Sequence, residues 1–152
     1  MNRLLPRLAI ATAVASLIPS LPSPAQVLPP VKKAERVRIT KAPEVELTTD
    51  HLTIIRWSTN NPGGSDVHYG IVHYGTDPQD LSQTAKNPIR LNQAHPHATF
   101  RVRIEGLELR TTYYYKVTSE ESNGKSDGVT STVSKFTTLG PGERMAASPK
   151  RD

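Results

Sequence analysis

Between residues 42 and 139 apolar side chains recur at every second position in short runs, and clusters of Gly, Pro, Asn, Asp or Ser separate the runs. A period of two sends alternate side chains to opposite faces of an extended chain, so each run predicts a strand with one buried face. In LTIIRWST (52–59), Thr53, Ile55 and Trp57 share one face, with Ile54 and Arg56 on the other. Phe100, Val102 and Ile104 alternate with Arg101, Arg103 and Glu105. Tyr113, Tyr115 and Val117 alternate with Tyr114, Lys116 and Thr118. Residues 67–76 and 129–138 supply further strands, and residues 37–40 and 44–48 flank Ala42-Pro43 as an interrupted edge strand, where proline is tolerated. Residues 60–66 (NNPGGSD) form a loop, and residues 120–128, with Asn-Gly and Asp-Gly, a flexible hairpin loop. The one helix candidate, residues 79–86, is short and is ended by Asn87-Pro88. About seven short strands at this spacing predict an all-β sandwich or barrel.

The ends of the chain differ from this pattern. Residues 1–7 carry two arginines and no acid, and residues 8–21 (LAIATAVASLIPSL) are apolar over a length too short to span a bilayer comfortably. Ser23-Pro24-Ala25 places small residues where a signal peptidase reads, so residues 1–25 predict a cleavable signal peptide. No second long apolar run follows, so the mature chain is expected to lack a transmembrane segment and to be secreted or periplasmic. Residues 26–41 are rich in Pro and Lys and read as a linker, residues 42–139 as the domain, and residues 140–152 as a disordered tail.

Charge and cysteine content narrow the function. The chain of 152 residues has a formal charge of +5. Its positive excess sits in the leader and linker: residues 42–139 hold nine basic and eleven acidic side chains. A folded nucleic-acid reader carries its charge on the domain, so nucleic acid is not expected as a partner. With no cysteine there is no disulfide framework, thiolate metal site or cysteine nucleophile.

Three features resemble a fibronectin type III domain, most closely the N-terminal sandwich of purple acid phosphatases. They are Trp57 after Thr53 and Ile55, the element Val72-His73-Tyr74-Gly75-Thr76-Asp77-Pro78, and the run from Gly106 through Leu107, Glu108, Leu109, Arg110, Thr111 and Thr112 to Tyr113-Tyr114-Tyr115. Leu109 stands where the family usually has Pro. The resemblance implies an immunoglobulin-like, two-sheet antiparallel sandwich, with Leu107 plugging the core and the Tyr113 hydroxyl bonding back to upstream backbone. The expected core is Ile55, Trp57, Val72, Phe100, Val102, Ile104, Leu107, Tyr115 and Val117. In purple acid phosphatases the bimetallic chemistry lies on a separate, larger domain, whose metal motifs are absent from this sequence.

Little else suggests catalysis. Val-His-Tyr-Gly occurs twice, at 67–70 and 72–75. His68 and His73 are an odd number of residues apart, so a regular strand sends them to opposite faces, and only a bulge, which Gly70 could supply, would bring them to one ion. The repeat reads as β-propensity with a glycine kink. His95-Pro96-His97 is a weak two-histidine candidate for Cu or Ni, and His51 stands alone in a turn. No G-x-S-x-G elbow, phosphate loop or H-E-x-x-H occurs, so no catalytic residue, cofactor or firm metal ligand is assigned. Arg56, Arg101 and Arg103 would share one outer sheet face and form a candidate binding surface for an acidic partner.

Three functions fit. One is an exported, non-catalytic sandwich that binds protein or envelope polysaccharide, or acts as a spacer. The second is an adhesin for carbohydrate or surface polymer. The third is an accessory module to a separate phosphatase chain.

Overall fold

The computed structural model describes residues 32–145. Eight strands occur among them: β1 (Ile39–Thr48), β2 (Leu52–Asn60), β3 (Val67–Gly75), β4 (Gln83–Arg90), β5 (His97–Glu105), β6 (Thr112–Glu121), β7 (Ser126–Thr130) and β8 (Ser134–Thr137). All pairings are antiparallel. The first sheet has the order β1-β2-β5. The second runs β4-β3-β6, and β7 and β8 divide the far edge of β6 between them. The two sheets make the all-β sandwich that the two-residue period predicts.

All nine expected core residues are buried, joined by Tyr74, Leu91, Ala98, Tyr113 and Phe136. Trp57 stacks on Phe100 with ring centroids 5.2 Å apart. Gly70 faces this pair across the interior. A Cβ there would lie 2.8 Å from Trp57 Cη2 and 3.0 Å from Phe100 Cδ1, so the ring needs the missing side chain. This glycine makes neither a bulge nor a kink: β3 keeps regular register through it with both β4 and β6. At the other end of the core, Tyr113 stacks on Phe136 at 5.5 Å, and its hydroxyl accepts the Glu108 amide at 3.0 Å. Burying each such large side chain is worth about 1.5–3 kcal/mol, which without disulfides must offset the ordering of the chain.

Three segments depart from the sequence reading. The second half of the helix candidate, residues 83–86, lies in strand β4, and Pro88 sits inside that strand opposite Tyr69. Strand β4 is an edge, so the amide that proline lacks is not missed by a further neighbour. Residues 120–128 are mostly strand: the turn is confined to Ser122-Asn123-Gly124, and Asp127-Gly128 belongs to β7 with Asp127 facing inward. The linker expected at residues 26–41 is packed where it is described. Val37 is buried, the Ala34 amide donates to the Pro62 carbonyl at 2.8 Å, and β1 already begins at Ile39. Past residue 139, Glu143 accepts from Arg110 at 2.7 Å and from the Gly140 amide at 2.8 Å. The expected signal peptide (1–25) and residues 146–152 of the expected tail lie outside the described residues.

Candidate functional site

Strand parity makes a buried cluster of charged and polar side chains. In β3 the side chains of His68, Gly70, Val72 and Tyr74 point inward, while Tyr69, Ile71 and His73 point out. In β6 the inward set ends with Ser119 and Glu121, and in β7 it is Asp127 and Val129. His68 therefore meets Asp127 inside the sandwich: its Nδ1 lies 2.9 Å from Asp127 Oδ2, and both side chains are wholly removed from solvent. The other ring nitrogen, Nε2, lies 3.1 Å from the Gly63 carbonyl oxygen. Both ring nitrogens thus lie within hydrogen-bond distance of an oxygen. Ser119 donates to Asp127 Oδ2 at 2.8 Å, and Lys33 approaches Asp127 Oδ1 at 3.4 Å. Lys33 also pairs with Glu121, whose Oε2 accepts from Ser65 at 2.8 Å.

The charges of this cluster reinforce one another. Burial alone would raise the Asp127 carboxyl, but hydrogen bonds from His68 and Ser119, with the nearby positive charges, outweigh it and hold the group below its usual range. Glu121 is held low chiefly by the hydrogen bond from Lys33 and then by that from Ser65. For Lys33, burial works to lower the ammonium, and the bonds and charges of Glu121 and Asp127 reverse this and raise it.

The arrangement contains serine, histidine and aspartate, yet it is not wired for nucleophilic attack. Ser119 donates to the carboxylate instead of the imidazole, and both imidazole nitrogens are engaged, so no ring nitrogen is free to take a proton from a hydroxyl. Its chemistry is that of a clasp. It fastens the segment entering β1, through Lys33, to the loop after β2 and to the β6–β7 hairpin. Gly63 belongs to the same joint: a Cβ on it would fall 2.3 Å from the Lys32 carbonyl oxygen. A groove of about 450 Å³ beside this joint is lined by residues 33–39 and Asp127–Thr130. The loop at residues 60–66 meets the β6–β7 hairpin here, through the bond from Ser65 to Glu121.

The residues singled out in the sequence are placed as follows. Arg56 and Arg101 face each other across β2 and β5, and Arg103 lies beside them on the same outer face. Glu46 grips Arg101 through two contacts, of 2.6 and 3.0 Å, and Glu105 takes Arg103 at 2.5 Å. Glu44 of β1 pairs in register with Arg56. Glu44 is itself ion-paired with Lys41, so two of the three arginines, Arg101 and Arg103, are neutralised and Arg56 has no ion-pair partner among the described residues. His95 and His97 have ring centroids 6.1 Å apart, and the His95 Nδ1 accepts the His97 amide at 3.2 Å. Among the described residues no three His, Cys, Asp or Glu side chains gather in a way that could hold a metal. Leu107, Trp57, Tyr113 and Tyr115 lie in the core already described.

Sequence reasoning missed the clasp. A turn reading of Asp127-Gly128 hid the aspartate, and a linker reading hid Lys33. The available signal was the parity of β3, which puts His68 on the same face as Val72.

An antiparallel two-sheet sandwich with the tyrosine corner and a tryptophan in its second strand defines a fibronectin type III-like domain. The chain belongs to the family described as purple acid phosphatase, N-terminal domain, whose model matches residues 41–138. Among solved structures it is similar to the sensor domain of the anti-sigma factor RsgI4 of Pseudobacteroides cellulosolvens, at 17% identity and TM-score 0.46, over 78% of this chain and 98% of that one. It is also similar to a fibronectin type III domain of human contactin 1, at 16% identity and TM-score 0.45, over 86% and 96% of the two chains. No curated protein matches it. Among the described residues no helix is long and apolar enough to cross a membrane.

Proposed function

We propose that the protein is an exported, non-catalytic binding or spacer module that works outside the cytoplasm. The observation that carries this reading is the clasp: the buried His68, Asp127 and Glu121 are engaged in tying the domain together. The family match adds support, because it covers the sandwich half of a phosphatase architecture whose metal chemistry belongs to another domain. Export rests on the charged, then apolar, leader and on Ala25.

The full chain, tagged at its C-terminus and expressed in a bacterial host, tests both parts. Expected are loss of a leader of about 25 residues, measured by mass, and recovery outside the cytoplasm. Purified protein given Fe or Zn is expected to leave a generic phosphate ester intact. An unprocessed cytoplasmic chain defeats the export reading, and metal-dependent phosphate release defeats the non-catalytic one.

A further inference from the structure

The outer face of the second sheet carries charge that its own residues leave unpaired. His73 of β3 stands directly across from Lys116 of β6, and Tyr114 of β6 directly across from Lys135 of β8. All four project outward, and Tyr114 and Lys116 are next-but-one neighbours on one strand. Cross-strand partners of this kind have Cβ atoms about 4.5–5.5 Å apart, so the four side chains form one compact patch. Among the described residues neither Lys116 nor Lys135 has a carboxylate within ion-pair distance. The nearest acid along β6, Glu120, is taken by Lys86, which also lies 4.1 Å from the Tyr69 ring centroid. Threonines rim the patch: Thr84 opposite His73, Thr118 two residues beyond Lys116, and the Thr112–Thr137 pair joined hydroxyl to hydroxyl at 2.9 Å. The local field registers on His73, whose ring is held below its usual range first by partial burial and then by the Lys116 charge.

We propose that this patch docks a linear acidic polysaccharide, with a sugar ring against Tyr114 and its carboxylates on Lys116 and Lys135. The proposal rests on the reading of the protein as an exported binding module. Charge complementarity calls for an acidic occupant. The form of the patch selects a polysaccharide. Protein interfaces are depleted in lysine and seat aromatic anchors in pockets, whereas here the lysines are central and the tyrosine lies on an open sheet face. A tyrosine ring offers an apolar body with a polar tip, and the rim of hydroxyls can bond to sugar hydroxyls.

The full chain, processed and purified, is titrated with polygalacturonate at low salt, with dextran as the neutral control. Polygalacturonate is expected to bind, more weakly as salt rises, and dextran is not. The K116E/K135E variant should lose about tenfold or more in affinity, a factor worth roughly 1.4 kcal/mol, and Tyr114→Ala should lose several-fold. The R56E/R101E/R103E variant should bind as the parent does. Thermal melting confirms that each variant folds, and K116Q/K135Q replaces the charge reversal if that variant melts early. Binding unchanged in the lysine variants, or lost only in the arginine variant, overturns the proposal. So does binding to phosphatidylglycerol vesicles or to an acidic protein without binding to polygalacturonate. An exported, inactive chain that ignores polygalacturonate sinks the patch alone, whereas a chain retained in the cytoplasm sinks the reading beneath it.

Discussion

The two copies of Val-His-Tyr-Gly lie in one strand, between the same two neighbours, and the Val, His and Tyr of one face the opposite way in the other. In the first copy His68 is buried on Asp127, Tyr69 faces out beneath Lys86, and Gly70 lies against Trp57. In the second, His73 faces out and meets the Thr118 hydroxyl at 2.9 Å, while Tyr74 turns inward, edge-on to Tyr113 at 6.1 Å. An offset of five residues in a regular strand reverses the face, so a repeated word in the sequence is not a repeated site. What each histidine does is decided by the neighbour that parity gives it: a buried carboxylate for one, a lysine and a hydroxyl for the other.

The most severe way to break the comparison is to remove the buried histidine. His68→Ala leaves Asp127 charged, desolvated and short of its main partner. The expected loss is about 3–5 kcal/mol, the usual range for half of a broken buried pair, read as a fall in the denaturant midpoint. Acid tests the same joint from the other side. Asp127 and Glu121 are both held below their usual range in the folded state. Their contribution is therefore fully present above the unfolded carboxylate values, near pH 4, and drains away as pH falls through the depressed folded ones. Melting temperature should hold between pH 7 and 5 and then fall. With Glu121→Gln the acid fall should be shallower from a lower starting point; an identical acid profile would remove Glu121 from the linkage.

Gly70 sharpens the comparison at the next residue but one. Adding a methyl group there drives it into Trp57 and Phe100, two rings packed on all sides. Gly70→Ala should cost about 1–3 kcal/mol, the range for overpacking, and should perturb tryptophan fluorescence. A variant as stable as the parent would mean the rings have room to retreat. At the opposite end of the core, Tyr113→Phe keeps the stacked ring and removes the bond to the Glu108 amide. The expected cost is about 1 kcal/mol in thermal or denaturant unfolding. A neutral Tyr113→Phe would show that the corner hydroxyl contributes nothing net.

These outcomes also mark how much the sequence could reveal. The core was legible because it obeys one local rule, and Ile55, Trp57, Phe100, Val102 and Ile104 follow it without exception. Strand β4 was not legible. Its alternation is weak, since Ala85, Asn87 and Ile89 are its inward set, and Pro88 argues locally against a strand that edge placement in fact permits. The clasp was hidden for a different reason. It joins Lys33, His68 and Asp127 across distances in sequence that no local pattern encodes, and Asp-Gly is a turn signal wherever it is read alone. The arginine face shows a third kind of limit. Parity puts Arg56, Arg101 and Arg103 on one side, but Glu46, which grips Arg101, comes from β1, whose bulged register with β2 was invisible in the sequence.

The smallest effect is expected from the second histidine, and it closes the comparison. His73→Ala removes a ring that is only partly buried and bonded to one half-buried hydroxyl, so the change in stability should stay within about 0.5 kcal/mol. Against His68→Ala the pair gives two alanine substitutions of the same residue type, in the same tetrapeptide and the same strand. Denaturant unfolding of the two variants side by side measures the value of parity directly. If His73→Ala destabilises as much as His68→Ala, the outward face of β3 is part of the fold's support, and Lys116 across from it on β6 is not free to meet a partner. If the gap is as wide as the structure implies, the inner copy holds the domain together and the outer copy is left available for binding.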